Sequence, residues 1–208
     1  MPLQQWERGM THDPERPYRR SIRLKEYDYL QPNAYFITIC AYNKECIFGG
    51  IIDARMILNE LGKIVWNEWN KTAQIRKNVN VDEYVVMPNH MHGILMIIDG
   101  CDVGETRRVA PTERPKGPAF GSVGAIIGQF KSIATKRINA LRGTPGLPVW
   151  QRNYYEHIIR NEKDLDEIRE YIINNPIKWD LDEENLRNIK VGGVLKPAPT
   201  GKFKQNDE

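Results

Sequence analysis

Asn33-Ala34-Tyr35-Phe36-Ile37-Thr38-Ile39-Cys40-Ala41-Tyr42 gathers aromatic and β-branched residues and predicts a first strand, after which Gly49-Gly50 breaks the pattern. Ile57, Leu61, Ile64, Val65 and Trp69 then follow helical spacing, predicting a helix over 56–75. Two apolar runs, 82–87 and 90–98, flank the turn signal Pro88-Asn89 and predict a hairpin. Periodicity vanishes over 100–121, which reads as a flexible insert or long loop. Ser122 is a fair N-cap for a helix carrying Val123, Ile126, Ile127, Phe130, Ile133, Ala134, Ile138 and Leu141 as its apolar stripe, and Gly143-Thr144-Pro145-Gly146 stops it. Residues 149–160 read as a strand or extended arm. A last helix over 163–175 turns Leu165, Ile168 and Ile172 to the core and ends at Pro176. Beyond Trp179 the chain is charged and rich in Gly and Pro, so little packing is expected there apart from a short helix around 182–186. The order strand, helix, strand, strand, helix, strand, helix predicts an α+β protein, an antiparallel sheet with packed helices of ferredoxin-like type.

Length and composition suit one domain with tails, since 208 residues with 40% hydrophobic content support one core. The expected division is a basic N-terminal tail (1–28), a domain (29–179) containing the 100–121 insert, and a charged C-terminal tail (180–208). Cys40, Cys46 and Cys101 lack metal-ligand spacing, and their odd number argues against a disulfide framework, so a reducing, cytoplasmic setting is expected. The first 23 residues are polar and lack the apolar centre of a secretory signal. No apolar run approaches the roughly 20 residues that span a bilayer, so a soluble chain with no membrane partner is expected. Net charge is only +3, but Lys131, Lys136, Arg137, Arg142, Arg152 and Arg160 face a single acid, Glu156, within 131–160. Arg16, Arg19, Arg20, Arg23 and Lys25 add a second basic cluster. Such clusters suit a polyanion, and solvated helix faces produce similar counts.

The hairpin carries the most suggestive chemistry. Alternate strand residues share a face, so His90 and His92, two of four histidines, project together while Met91 turns away. Imidazoles held that way either bind a metal or form a buried, hydrogen-bonded pair. On the last helix Tyr171 and Asn175 stand at i and i+4, on one face. By themselves they read first as a boundary tyrosine with its hydroxyl in water and a helix-ending residue.

Three motifs in order change the weighting: Met87-Pro88-Asn89-His90-Met91-His92, then Trp150-Gln151-Arg152-Asn153-Tyr154-Tyr155-Glu156-His157-Ile158-Ile159-Arg160, then Tyr171-Ile172-Ile173-Asn174-Asn175-Pro176. Over about residues 29–179 the chain resembles the single-tyrosine HUH transposases, and among them the REP-associated tyrosine transposases. The resemblance implies a ferredoxin-like (RRM-like) HUH fold and one divalent metal, Mg²⁺ or Mn²⁺, held by His90, His92 and Asn175. Other members carry Gln at that third position. It further implies that Tyr171 attacks single-stranded or hairpin DNA to form a 5′-phosphotyrosine bond, in a monomer or homodimer. Lys131, Lys136, Arg137, Arg152, Tyr154 and Arg160 are the expected DNA contacts. Tyr154 and Tyr155 are rival nucleophiles by residue type, but neighbours on a strand point to opposite faces, so only one could approach a metal. His157 is read as a structural hydrogen-bonding group. Two other functions fit the residues: a non-catalytic hairpin-binding protein, and a zinc hydrolase on His90, His92 and His157.

Overall fold

β1 (Asn33–Cys40) forms the centre of the computed structural model, which describes residues 32–98, 118, 121–182 and 184–185. It pairs antiparallel with β5 (His90–Ile97) on one side and β6 (Tyr155–Ile159) on the other, and β4 (Val79–Val86) pairs outside β5. The sheet therefore runs β4-β5-β1-β6. With α1 (Glu60–Gln74) connecting β1 to β4 and α2 (Val123–Arg142) connecting β5 to β6, this is the expected ferredoxin-like arrangement. The N-terminal tail, Cys101, residues 186–208 and all of the 100–121 insert except Pro118 and Gly121 lie outside the described residues.

A strand pair ahead of the first helix was not expected. A hairpin of β2 (Gly49–Ile52) and β3 (Arg55–Leu58) precedes α1 and occupies the start of the helix predicted over 56–75. Its loop residues Asp53 and Ala54 both have positive φ, 49° and 58°, as two-residue hairpin turns of matching twist require. Ile57 fits the helical spacing by coincidence and is 52% exposed. The helix starts only where Asn59 accepts the amide hydrogens of Leu61 and Gly62. The other helix ends follow the sequence closely. Ser122 accepts from the Ala125 amide, and Gly143, at φ 66°, closes α2 in the left-handed conformation.

Alternation along the strands sends side chains into two cores. Tyr35, Ile37, Ile39, Met91 and Leu95 face α1 and α2, meeting Val65, Trp69, Ile126, Ile127, Phe130 and Ala134. On the other face Phe36, Ile94 and Ile159 meet Leu165, Ile168 and Ile172 of α3 (Glu162–Asn174). β1 and β5 are thus buried on both sides, which explains why their sequences read as nearly continuous apolar runs.

A β-bulge aligns β4 with both layers. Val81 pairs with Leu95 and Tyr84 with Gly93, so three steps on β4 match two on β5. The extra residue reverses the alternation, keeping Tyr84 on the α1 side and placing Val85 opposite His92. Beside the bulge, Asp82 receives Arg169 of α3 in a two-point contact, Nη2 to Oδ2 at 2.5 Å and Nε to Oδ1 at 3.3 Å. Gly93 gives the close approach on the opposite face. A Cβ there would lie 2.8 Å from Cζ2 of the buried Trp69 indole and 3.1 Å from Tyr84 Cβ. No helix among the described residues is long and apolar enough to cross a membrane.

Gly93→Ala is expected to destabilise the domain by about 1–3 kcal/mol through overpacking, read as a lower urea midpoint with an unchanged slope. The hydrogen bond from Arg169 holds the Asp82 carboxyl below the usual range. Its stabilisation is therefore present above the unfolded Asp value, about 4, and fades as pH falls through the lower folded value. Asp82→Asn should cost up to about 1 kcal/mol at pH 7, and the difference from wild type should shrink in acid denaturation below pH ~4.

Candidate metal centre and active site

His90 and His92 stand at the end of β5 near the turn, opposite Cys40 and Thr38 of β1, with ring centroids 4.5 Å apart. Both are buried. The side-chain amide of Asn89 donates to the carbonyls of Lys44 (3.1 Å) and Glu184 (2.6 Å), which turns its Oδ1 toward His90. His90 Nδ1 donates to that oxygen at 2.9 Å, so the proton sits on Nδ1. Nε2 is left as a buried lone pair with no hydrogen-bond partner. His92 Nδ1 lies 2.8 Å from the Thr38 hydroxyl, and its Nε2 faces the Tyr171 hydroxyl at 3.3 Å.

Burial strips water from both rings and disfavours their charged forms. With Lys44 adding repulsion, the pKa of His90 falls to about 3. That of His92 is also held well below the ordinary value, by burial and then by its neighbour His90, against a smaller opposing effect of Glu184. Neutral imidazole is the form that binds metals.

α3 brings the tyrosine to this pair. Asn161 caps the helix by accepting from the Asp164 amide, and the Leu165, Ile168 and Ile172 stripe docks it on the sheet. Tyr171 sits at the margin of that stripe, its ring 5.9 Å from Phe36 and 5.2 Å from His92. Asn175 is the C-cap, one turn later. It is buried, and its Oδ1 has no hydrogen-bond partner.

The chain after α3 differs from expectation. In place of a short helix over 182–186, a 3-10 turn forms earlier, at Trp179–Leu181, and Leu186 lies outside the described residues. Far from packing little, this segment covers the histidines. Trp179 is buried with its ring 6.0 Å from His90, and Glu184 and Asn185 are buried beyond it. Asp182 Oδ2 lies 3.9 Å from His90 Nε2. One ligand atom each from His90, His92 and Asp182 fall within 4.8 Å of one another, and His157 is not in this group.

These donors fit a divalent cation. Two buried neutral imidazoles, one with an unpartnered nitrogen, adjoin a carboxylate oxygen, a mixed nitrogen and oxygen donor set. Sequence reasoning read Asn89 as a turn residue and overlooked Asp182 and Thr38. The available signal for Asp182 was Trp179, a large apolar side chain in an otherwise charged stretch, which needs a surface to cover it.

The remaining expected residues are dispersed. Lys131 donates to the backbone carbonyls of Gln151, Arg152 and Asn153 and is partly desolvated, with its pKa lowered to about 8. Arg137 pairs with Glu68 at 2.8 Å. Lys136, Arg152 and Arg160 are exposed. Tyr154 packs against the α1/α2 core and donates its hydroxyl to Glu156 at 2.8 Å. Tyr155 lies on the histidine side, paired with Thr38. His157 shares that side, opposite Phe36, and is half-buried.

No protein-family model matches the chain. An uncharacterized protein of Haemophilus influenzae is 45% identical over 170 residues, covering 80% of this chain and 92% of the relative. Among solved structures, a REP-associated tyrosine transposase bound to a REP hairpin is similar at TM-score 0.48 and 18% identity, over 78% of this chain and 77% of that one. A candidate transposase from Deinococcus radiodurans is similar at TM-score 0.40 and 12% identity, over 74% and 97%.

Asn89→Ala leaves two carbonyls and the His90 ring without their buried partner. A loss of about 1–3 kcal/mol is expected, together with loss of the Nδ1-protonated tautomer of His90 in ¹⁵N NMR spectra that resolve it in the wild type.

Proposed function

The chain belongs to the same family as the Haemophilus influenzae protein, and we propose that it is a transposase that nicks and joins single-stranded DNA through Tyr171. The observation that carries this reading is the Tyr171 hydroxyl, 3.3 Å from Nε2 of His92 in a cluster of two neutral histidines and a carboxylate. The three ordered motifs supply the reaction class.

His90 and His92, with Asn175, would hold a divalent ion, Mg²⁺ or Mn²⁺, which when bound neutralises and orients the scissile phosphate. A phenol is protonated at neutral pH, its ordinary pKa being about 10, so Tyr171 gives up its proton as it attacks. The bond from its oxygen to phosphorus forms while the bond from phosphorus to the 3′ oxygen breaks, and that oxygen leaves as a hydroxyl after taking up a proton. The 5′-phosphate remains esterified to Tyr171. Because the phosphodiester is exchanged and not hydrolysed, a second 3′-hydroxyl can reverse the step and join strands without a nucleotide cofactor. Phe36 and the histidine ring confine the phenol, so little rotational freedom is lost on attack.

DNA that is unpaired at the cleavage point and folded into a hairpin nearby is the proposed substrate, which implies action in the cytoplasm. Of the expected contacts, Lys136, Arg152 and Arg160 are exposed and available to its phosphates, whereas Lys131 and Arg137 are held by protein groups. The tyrosine reaches the histidines of its own chain, which supports a monomer acting in cis.

Wild-type protein incubated with Mn²⁺ or Mg²⁺ and a panel of hairpin-bearing single strands is expected to yield a covalent protein–DNA adduct on denaturing gels. Tyr171→Phe should abolish the adduct and His90→Ala reduce it at least about a hundredfold. An adduct of full yield in Tyr171→Phe would refute the assignment. Chelator-insensitive binding without any adduct would instead indicate a non-catalytic hairpin-binding protein.

A further inference from the structure

We propose that Asp182 is a ligand of the metal, carried to the histidine pair by the segment that follows α3. The inference rests on the metal-dependent reading above and adds to it a residue outside the three motifs. Asp182 Oδ2 is 3.9 Å from His90 Nε2. Two ligands on opposite sides of an ion at about 2.1 Å each stand at most about 4.2 Å apart, so one cation fits between them. The His90 nitrogen is buried and has no hydrogen-bond partner, so its lone pair is available on the side where the carboxylate stands.

The carboxylate is also held in place. Its Oδ1 accepts from the Glu184 amide at 2.7 Å, and the Asp182 carbonyl accepts from the Asn185 amide at 3.1 Å. Asn185 in turn donates from its side chain to the Trp179 carbonyl at 2.9 Å, closing a small loop around Asp182. Three contacts tie that loop to the sheet end: Lys44 to the Glu184 carboxylate at 2.9 Å, the Cys40 thiol to the same carboxylate at 3.4 Å, and the Asn89 amide to the Glu184 carbonyl at 2.6 Å. Asn89 therefore orients His90 and anchors the carrier of Asp182 with one side chain. Chemically, the carboxylate supplies the hard, anionic oxygen that a pair of imidazoles lacks. With Asn175, the two histidines and one carboxylate fill four positions of an octahedral ion and still leave room for phosphate oxygens.

Asp182→Asn separates this role from a structural one. The amide keeps an oxygen for the Glu184 N–H and replaces only the charged oxygen facing His90. Mn²⁺ titration by calorimetry is expected to show at least about tenfold weaker binding for Asp182→Asn, with the metal-free melting temperature unchanged. The visible absorption of bound Co²⁺, which reports the ligand set, should shift. Asp180→Asn, an exposed acid on the same turn, controls for the loss of one charge and should bind like wild type. Mn²⁺ binding that is lost in His90→Ala yet equal in Asp182→Asn and wild type, with an unshifted Co²⁺ spectrum, overturns the role of Asp182 and leaves the transposase reading intact. Absence of Mn²⁺ binding by the wild type overturns both.

Discussion

Two imidazoles are buried side by side on one face of a sheet, and the rest of the architecture accommodates that constraint. A charged ring in this position would lose its hydration, so burial keeps both rings neutral. Neutral imidazoles still need hydrogen-bond partners. Asn89 and Thr38 each satisfy one Nδ1, leaving Nε2 of both rings pointing toward α3 and the segment after it. Such outer partners determine which nitrogen is available and how the ring is oriented.

The sheet acts as a platform because its two layers do different work. The α1/α2 side is an ordinary apolar core in which Trp69 lies against Gly93, with no room for a side chain between them. The α3 side carries a smaller core and, at its margin, the chemistry. Placing both on one strand requires that β5 keep a strict alternation. The bulge in β4 then matches that alternation while turning Asp82 toward Arg169 of the tyrosine helix. α3 is thereby held at two places, by its apolar stripe and by a charged contact near Tyr171.

Much of this was legible in the chain. Strands and helices announced themselves through periodicity, and the cap Ser122 and the stop at Gly143 lie where their local chemistry demands. The β2–β3 hairpin was obscured because Ile57 happens to continue the α1 spacing, and because Asp53 and Ala54 form the turn without the glycine that usually marks one. The segment after Trp179 was misjudged for a different reason. Its composition is that of a solvated tail, yet its backbone and polar side chains find partners on the sheet end, chiefly Asn89, Lys44 and Cys40. Composition reports average solvation and cannot register a few specific long-range hydrogen bonds.

By itself the sequence determined what depends on near neighbours: the shared face of His90 and His92, the one-turn spacing of Tyr171 and Asn175, and the strand and helix order behind a ferredoxin-like sheet. Only the tertiary structure decided how these pieces meet. It set the tyrosine hydroxyl against His92 across 79 positions. It also brought Asp182 to His90 and turned Asn89 from a turn residue into the group that orients a ring. Periodicity encodes which face a side chain takes because that follows from backbone geometry, whereas the distance between two faces depends on how whole layers pack.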